Sequence, residues 1–208
     1  MSLSTFTVHE EALFEELIQG MVSQKFGVCD TFLDPSLTEG LRNNLLSYLG
    51  DGKMKPAGIG QNFDYQKNAE VRGDVIKWIE NDSNDPFERQ FLDKVERFIQ
   101  YLNSTCYTSI NAYEFHYAYY EQGSFYQRHL DQFKSDKGRK FSLVTYLNED
   151  WQPENGGKLS LYLEGEKEIE VYPIGGRSAC FKADELEHEV HVSPDRYRLS
   201  IAGWLKNS

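Results

Sequence analysis

The sequence predicts an α+β protein, mainly β, in which helices come first and pack on the outside of a β-core. Two observations carry this reading. Up to about residue 110 the apolar residues recur at helical spacing, whereas from residue 111 they alternate with period two. The second half then breaks into about eight short segments rich in aromatic and β-branched residues, separated by Gly, Pro, Asn or Asp, as in an antiparallel sandwich or small barrel. A chain of 208 residues with no linker, repeat or low-complexity tract reads as one domain, 1–208. Residues 1–110 would supply mostly helical support and a lid loop, and 111–206 the β-core with the active site.

Taken in order, Leu13, Leu17 and Met21, with Phe14 and Ile18, predict a helix near 8–23. After an apolar stretch at 26–33, Asp34-Pro35 sets a cap and then a proline where no N–H is needed. Leu37, Leu41, Leu45 and Leu49 form the stripe of that second helix, and Gly50-Asp51-Gly52 stops it. Residues 53–74 are polar and glycine-containing, longer than most loops of compact domains, and read as a lid over the site. A strand follows at 75–79. Asp85-Pro86-Phe87-Glu88 is a capping-box pattern, and Phe87, Phe91, Val95, Phe98 and Leu102 share one face of the helix it opens. Strands are expected at 112–120, 124–131, 139–147, 158–163, 168–172, 178–183, 187–192 and 197–205.

Composition excludes several functions. With 22 Lys+Arg against 33 Asp+Glu the net charge is −11, which argues against a nucleic-acid partner that needs a basic face. No apolar run approaches the roughly 20 residues of a membrane span. The acidic, polar N-terminus does not read as an export or transit signal, and three widely spaced cysteines (Cys29, Cys106, Cys180) suit reduced thiols, so the cytoplasm is the expected location.

Histidine is scarce, five in all, and two of the five fall where chemistry could be built. His129 and Asp131 are one residue apart on a strand pattern, so period two sends both to the same face. His188 lies on a later strand, with Arg198 ten residues beyond it. Two imidazoles and one carboxylate, without thiolate, form the donor set of the non-haem Fe(II) facial triad, which leaves positions open for a chelating keto acid and dioxygen. His191 has the opposite parity to His188 and reads as a solvent or rim residue. His116 reads as a packed or exposed strand histidine, and His9 as exposed.

Longer strings carry a resemblance. Tyr126-Gln127-Arg128-His129-Leu130-Asp131, Tyr146-Leu147-Asn148-Glu149-Asp150-Trp151, Gly156-Gly157-Lys158-Leu159, His188-Glu189-Val190 and Arg198…Trp204 resemble the 2-oxoglutarate/Fe(II) prolyl hydroxylases. Arg72-Gly73-Asp74 through Trp78-Ile79-Glu80 is similar to a segment of the prolyl-hydroxylase-domain branch, which includes the hypoxia-sensing enzymes and bacterial relatives. The resemblance spans about residues 72–205. It implies a distorted double-stranded β-helix, or jelly roll, and Fe(II), 2-oxoglutarate and O2 as cofactor and co-substrates, with ascorbate as an optional addition.

Carried over by position, His129, Asp131 and His188 would hold Fe(II), and Arg198 would fork onto the distal carboxylate of 2-oxoglutarate. Arg196 competes for that role, but Arg198 keeps the spacing to Trp204. Tyr146 and Tyr119 would hydrogen-bond the co-substrate or else pack in the core, and Ser200 is grouped with them. Trp204 would line the substrate pocket or be a plain core residue. Arg139 and Asp74 are assigned to the substrate side, Asp74 either pairing with Arg139 or forming a structural turn. Trp at 204, rather than a second Arg, removes the signature of nucleic-acid demethylating relatives. The implied reaction is hydroxylation of a prolyl C4 in a protein or peptide, by a monomer or weak homodimer. The rivals are hydroxylation of a free amino acid or other small molecule, and a non-catalytic jelly-roll metal-binding protein.

Overall fold

Helix α1 (Val8–Gln24) begins where the Thr7 hydroxyl accepts the Glu10 amide at 3.1 Å, and ends at Lys25, whose φ of 71° turns the chain into β1 (Phe26–Cys29). The computed structural model describes residues 6–58, 72–132 and 138–207. A Cβ on Gly27 would fall 2.0 Å from the Leu17 carbonyl oxygen, so glycine is what lets β1 lie directly against α1. Helix α2 (Pro35–Gly50) is capped by Asp34, which accepts the Leu37 amide at 3.0 Å. Helix α3 (Pro86–Cys106) is capped by Asp85, which accepts the amides of Phe87 and Glu88. The reciprocal half of the expected capping box is not made. Glu88 is buried and accepts the hydroxyls of Tyr48 (2.9 Å) and Ser83 (2.5 Å), while Ser83 Oγ meets the Asp85 amide.

The polar segment at 53–74 holds a two-residue strand, β2 (Lys55–Pro56), that the sequence did not signal, and it runs into β3 (Asp74–Ile79). Residues 59–71 of the expected lid lie outside the described residues. The eight later strands fall where the alternation puts them: β4 (Ala112–Tyr120), β5 (Tyr126–His129), β6 (Arg139–Tyr146), β7 (Leu159–Tyr162), β8 (Glu168–Val171), β9 (Ser178–Lys182), β10 (Glu187–Val190) and β11 (Arg198–Lys206).

These strands form two antiparallel sheets, ordered β1-β9-β6-β11-β4-β3-β2 and β5-β10-β7-β8, facing each other as a jelly roll. Because opposite residues of a pair share a face, register sorts the side chains of the large sheet. Phe115, Tyr117, Leu199, Ile201 and Leu205 turn outward and are covered by Leu13 and Leu17 of α1, Leu41 and Leu45 of α2, and Phe91 and Phe98 of α3. The intervening residues turn toward the small sheet. Along that inner face Arg198 stands opposite Tyr120, Ser200 opposite Ala118 and Tyr146, Ala202 opposite His116 and Val144, and Trp78 opposite His116. Among the described residues no helix is long and apolar enough to cross a membrane.

Candidate active site

Between the sheets lies a cavity of about 190 Å³. One wall is built on β5 and β10, whose register places His129 directly opposite His188, with ring centroids 4.2 Å apart. Asp131 follows the end of β5, and its two carboxylate oxygens lie 3.5 Å from His129 Nε2 and 3.5 Å from His188 Nε2. Ligand atoms from the three residues all fall within 4.8 Å of one another, so one cation can touch all of them.

Each side chain is held from behind. His129 Nδ1 lies 2.7 Å from the Gln127 carbonyl and His188 Nδ1 lies 3.3 Å from that of Leu186, which leaves both Nε2 atoms facing Asp131. Asp131 accepts a hydrogen bond from Ser142 at 2.6 Å. Burial pushes the His188 imidazole down to about 4, against the pull of Asp131, so it is a neutral donor. Burial works against ionisation of Asp131, yet the two imidazoles and Ser142 together hold its carboxyl below the usual carboxylate range.

A second group sits on the inner face of the large sheet. Arg198 is 2% exposed, its guanidinium 4.8 Å from the Tyr120 ring and 5.2 Å from the Tyr146 ring. Arg198 Nε and Nη1 and the Tyr146 hydroxyl are buried without hydrogen-bond partners. Asn148 fixes the adjacent backbone: its amide oxygen accepts the Leu199 N–H at 2.7 Å, and its NH2 donates to the carbonyls of Pro173 (2.7 Å) and Leu199 (3.2 Å). Trp151, closing the same string, donates to the Gly156 carbonyl at 3.1 Å and packs so close to Gly157 (φ 63°) that a Cβ there would lie 2.9 Å away. Those contacts account for the Asn, the Trp and the paired glycines of the two motifs.

Ser200 and Trp204 line the cavity as the sequence suggests, and Arg139 lies 3.4 Å over the Trp204 ring. Two expectations need correction. Tyr119 turns away from the cavity, packing on the helix-covered side and against Tyr197 with centroids 5.6 Å apart. Its neighbour Tyr120, opposite Arg198, is the one that faces inward. Asp74 does not pair with Arg139. It is gripped by the fork of Arg72 at 2.7 and 2.6 Å, while Arg139 pairs with Glu114 at 3.0 Å and donates to the Asp131 carbonyl at 3.2 Å. Residues 72 and 74 are two apart in the chain, so the local pair forms without bringing distant elements together. Of the two readings of His116 the structure bears out the packed one, and the packing places it on the cavity wall between Trp78 and Trp204.

Arg72 and Tyr126, which sequence reasoning did not assign, complete the wall. The Arg72 guanidinium lies 4.3 Å over Tyr126, whose ring stacks on His129 with centroids 3.6 Å apart. The pairing of the Arg72-Gly73-Asp74 string with Tyr126 three residues before His129 was the available signal. His191 stays on the other side of the small sheet, 2.7 Å from Ser160 Oγ, and Arg196 packs over Trp151.

Residues 115–206 match the family model described as 2OG-Fe(II) oxygenase superfamily. Among solved structures, a Pseudomonas putida prolyl-4-hydroxylase is 30% identical, with a TM-score of 0.84 over 94% of this chain and 99% of that one. A Trichoplax adhaerens prolyl hydroxylase, in complex with a hypoxia inducible factor oxygen degradation domain peptide fragment, is 25% identical, with a TM-score of 0.85 over 98% of this chain and 94% of that one. A prolyl 4-hydroxylase from Phytophthora capsici shares the fold at 18% identity, with a TM-score of 0.76 over 100% of this chain and 68% of that one.

Proposed function

We propose that this chain, which belongs to the 2-oxoglutarate/Fe(II)-dependent prolyl hydroxylase family, hydroxylates a prolyl residue at C4 in a protein or peptide. His129, Asp131 and His188 would hold the Fe(II) through two imidazole nitrogens and a carboxylate. Arg198 would hold the distal carboxylate of 2-oxoglutarate, with the Tyr146 hydroxyl donating to the same group.

The observation that carries this is the orphaned polar set at Arg198. A buried guanidinium with two unpartnered nitrogens beside an unpartnered phenol is costly unless a carboxylate arrives to meet it. The donor set fits the metal equally well, since both imidazoles are oriented by backbone carbonyls and the carboxylate by a serine. Bound Fe(II) with 2-oxoglutarate supplies the oxidising power, coupling decarboxylation of the keto acid by O2 to hydroxylation of an unactivated C–H.

The remaining work falls to the protein. Arg198 and Tyr146 orient the keto acid, and Tyr120 keeps the guanidinium in place. Tyr126, stacked on His129 and covered by Arg72, shields that face of the ligand set from water. Trp78 and Trp204 offer apolar walls suited to a pyrrolidine ring. The prolyl reading is supported by the 30% identical bacterial relative and by the peptide-bound relative. It is tested by mass spectrometry of a proteome incubated with the chain, Fe(II) and 2-oxoglutarate. Proline gains one oxygen in discrete peptides, in step with succinate. Succinate that rises only with free amino acids would replace the peptide reading by the small-molecule one, and no succinate at all would leave a binding protein.

A further inference from the structure

We infer that His116 reads the substrate, its imidazole donating a hydrogen bond to a peptide carbonyl beside the target proline. This rests on the prolyl reading above. Along the inner face of β4, Tyr120, Ala118 and His116 follow one another at steps of two residues, about 7 Å each. Tyr120 marks the Arg198 end. Ala118, with Ser200 and Ala202 opposite on β11, keeps the middle of the cavity open because these side chains are small. His116 stands one step further on, at the end it shares with Trp78 and Trp204 (centroids 4.9 and 5.6 Å away), so its ligand is distinct from the keto acid.

The imidazole is 4% exposed, and its Nδ1 is buried with no hydrogen-bond partner. Trp204 Nε1 is in the same condition. Leucine or methionine would fill the gap between two indoles without desolvating a polar atom, so the histidine burdens the free protein. Burial keeps the ring neutral, with the Arg72 and Arg139 cations acting in the same direction against Asp74 and Asp131, and a neutral imidazole carries one N–H donor.

The ligand chemistry follows from the donors. A prolyl residue has no backbone N–H, so the polar groups flanking its ring in a peptide are carbonyls, which accept. The imidazole N–H and the Trp204 Nε1–H both donate. Free proline would bring a ring ammonium beside Arg72 and Arg139, and a carboxylate to guanidiniums already paired with Asp74 and Glu114. The cavity therefore suits an internal prolyl residue.

The test loads wild type, His116→Phe and His116→Gln with Mn(II) and 2-oxoglutarate and titrates acetylated X-Pro-Y peptide amides and L-proline by calorimetry. Wild type is expected to bind peptides better than L-proline. His116→Phe should weaken peptide binding about tenfold, the value of one buried hydrogen bond, and His116→Gln, which keeps an N–H donor, should recover most of it. Replacing an amide next to proline by its alkene isostere, which removes the carbonyl acceptor without creating an amine, should cost wild type the same factor and His116→Phe little. If His116 serves only to pack between the indoles, phenylalanine binds as well as histidine, glutamine binds worse, and the inference falls. A wild-type chain that binds L-proline and none of the peptides, or no probe at all, overturns the prolyl-peptide reading and this inference together, a result distinct from equal binding by wild type and His116→Phe.

Discussion

The two faces of the large sheet are built from the same strands and do opposite things. On β4 and β11 the outward residues Phe115, Tyr117, Leu199 and Ile201 are apolar or aromatic and sealed beneath the three helices. The inward residues His116, Tyr120, Arg198 and Ser200 are polar, buried and, at Arg198 and His116, short of partners. Alternation thus separates stability from chemistry at intervals of a single residue. Substitutions one position apart should therefore have unrelated effects.

The largest expected effect is at Arg198. Arg198→Met fills the space but removes the fork, and should weaken 2-oxoglutarate binding by roughly 10²–10⁴-fold, or about 3–5 kcal/mol. The apo protein should lose no more than about 1 kcal/mol, because an unpaired buried cation contributes little to folding. Calorimetric titration and urea unfolding measure the two. Equal 2-oxoglutarate affinity in the variant would break the assignment. On the opposite face the pattern inverts. Phe115→Ala should cost about 3–5 kcal/mol of stability and lower the melting temperature by roughly 6–20 °C, with 2-oxoglutarate affinity below that temperature within about twofold of wild type. Large losses of both together would mean that the faces are not independent.

Much of this partition was legible in the sequence, and the misses have physical causes. Strand positions from 111 onward followed from period two, because both sheets bury one face and the alternation is therefore strong. His129 and His188 stood out because histidine is scarce, Asp131 because it shares a strand face with His129, and Arg198, rather than Arg196, through the spacing to Trp204 that the resemblance supplies. Strand β2 is two residues long and carries no period to detect. Tyr119 and Tyr120 are identical in type and adjacent, so only the pairing of residue 120 with Arg198 decides which one faces inward. Asp74 pairs with Arg72 rather than the distant Arg139 because the nearer arginine has no folding distance to cover. That His116 packs on the cavity wall is invisible locally, because nothing in its own strand says that Trp78, from another strand, stands opposite it.

The inner face should also show itself in acid. The His116 imidazole is pushed down to about 4 from its ordinary 6.5, chiefly by burial. The unfolded chain therefore takes up a proton that the folded one refuses. The stability tied to this residue is complete above pH 6.5 and is lost as pH falls toward 4, amounting to about 3 kcal/mol. His116→Phe should flatten the fall of unfolding free energy across that window by one proton. A wild-type curve no steeper than the variant's would mean that the ring is already solvated.

A smaller contrast tests the tyrosine pair. Tyr120→Leu removes the ring beside the Arg198 guanidinium and should weaken 2-oxoglutarate about tenfold, the scale of a desolvated cation–π contact. Tyr119→Leu, on the helix side against Tyr197, should change that affinity by less than about twofold. The reverse order would restore the assignment made from the sequence.

The smallest effect is expected at His191, three residues beyond His188 and on the other side of the small sheet. Its Nε2 meets Ser160 Oγ at 2.7 Å, but Ser160 also donates to Glu168 at 2.5 Å and so remains satisfied when the imidazole is gone. The side chain is about a third exposed, so water replaces what little it contributes. His191→Ala should therefore cost less than about 1 kcal/mol in urea unfolding and leave succinate production within about twofold. If it instead abolished succinate while the melting temperature held, the parity that puts His188 alone in the cavity would be wrong, and the separation of faces would fail for the small sheet even if it stood for the large one.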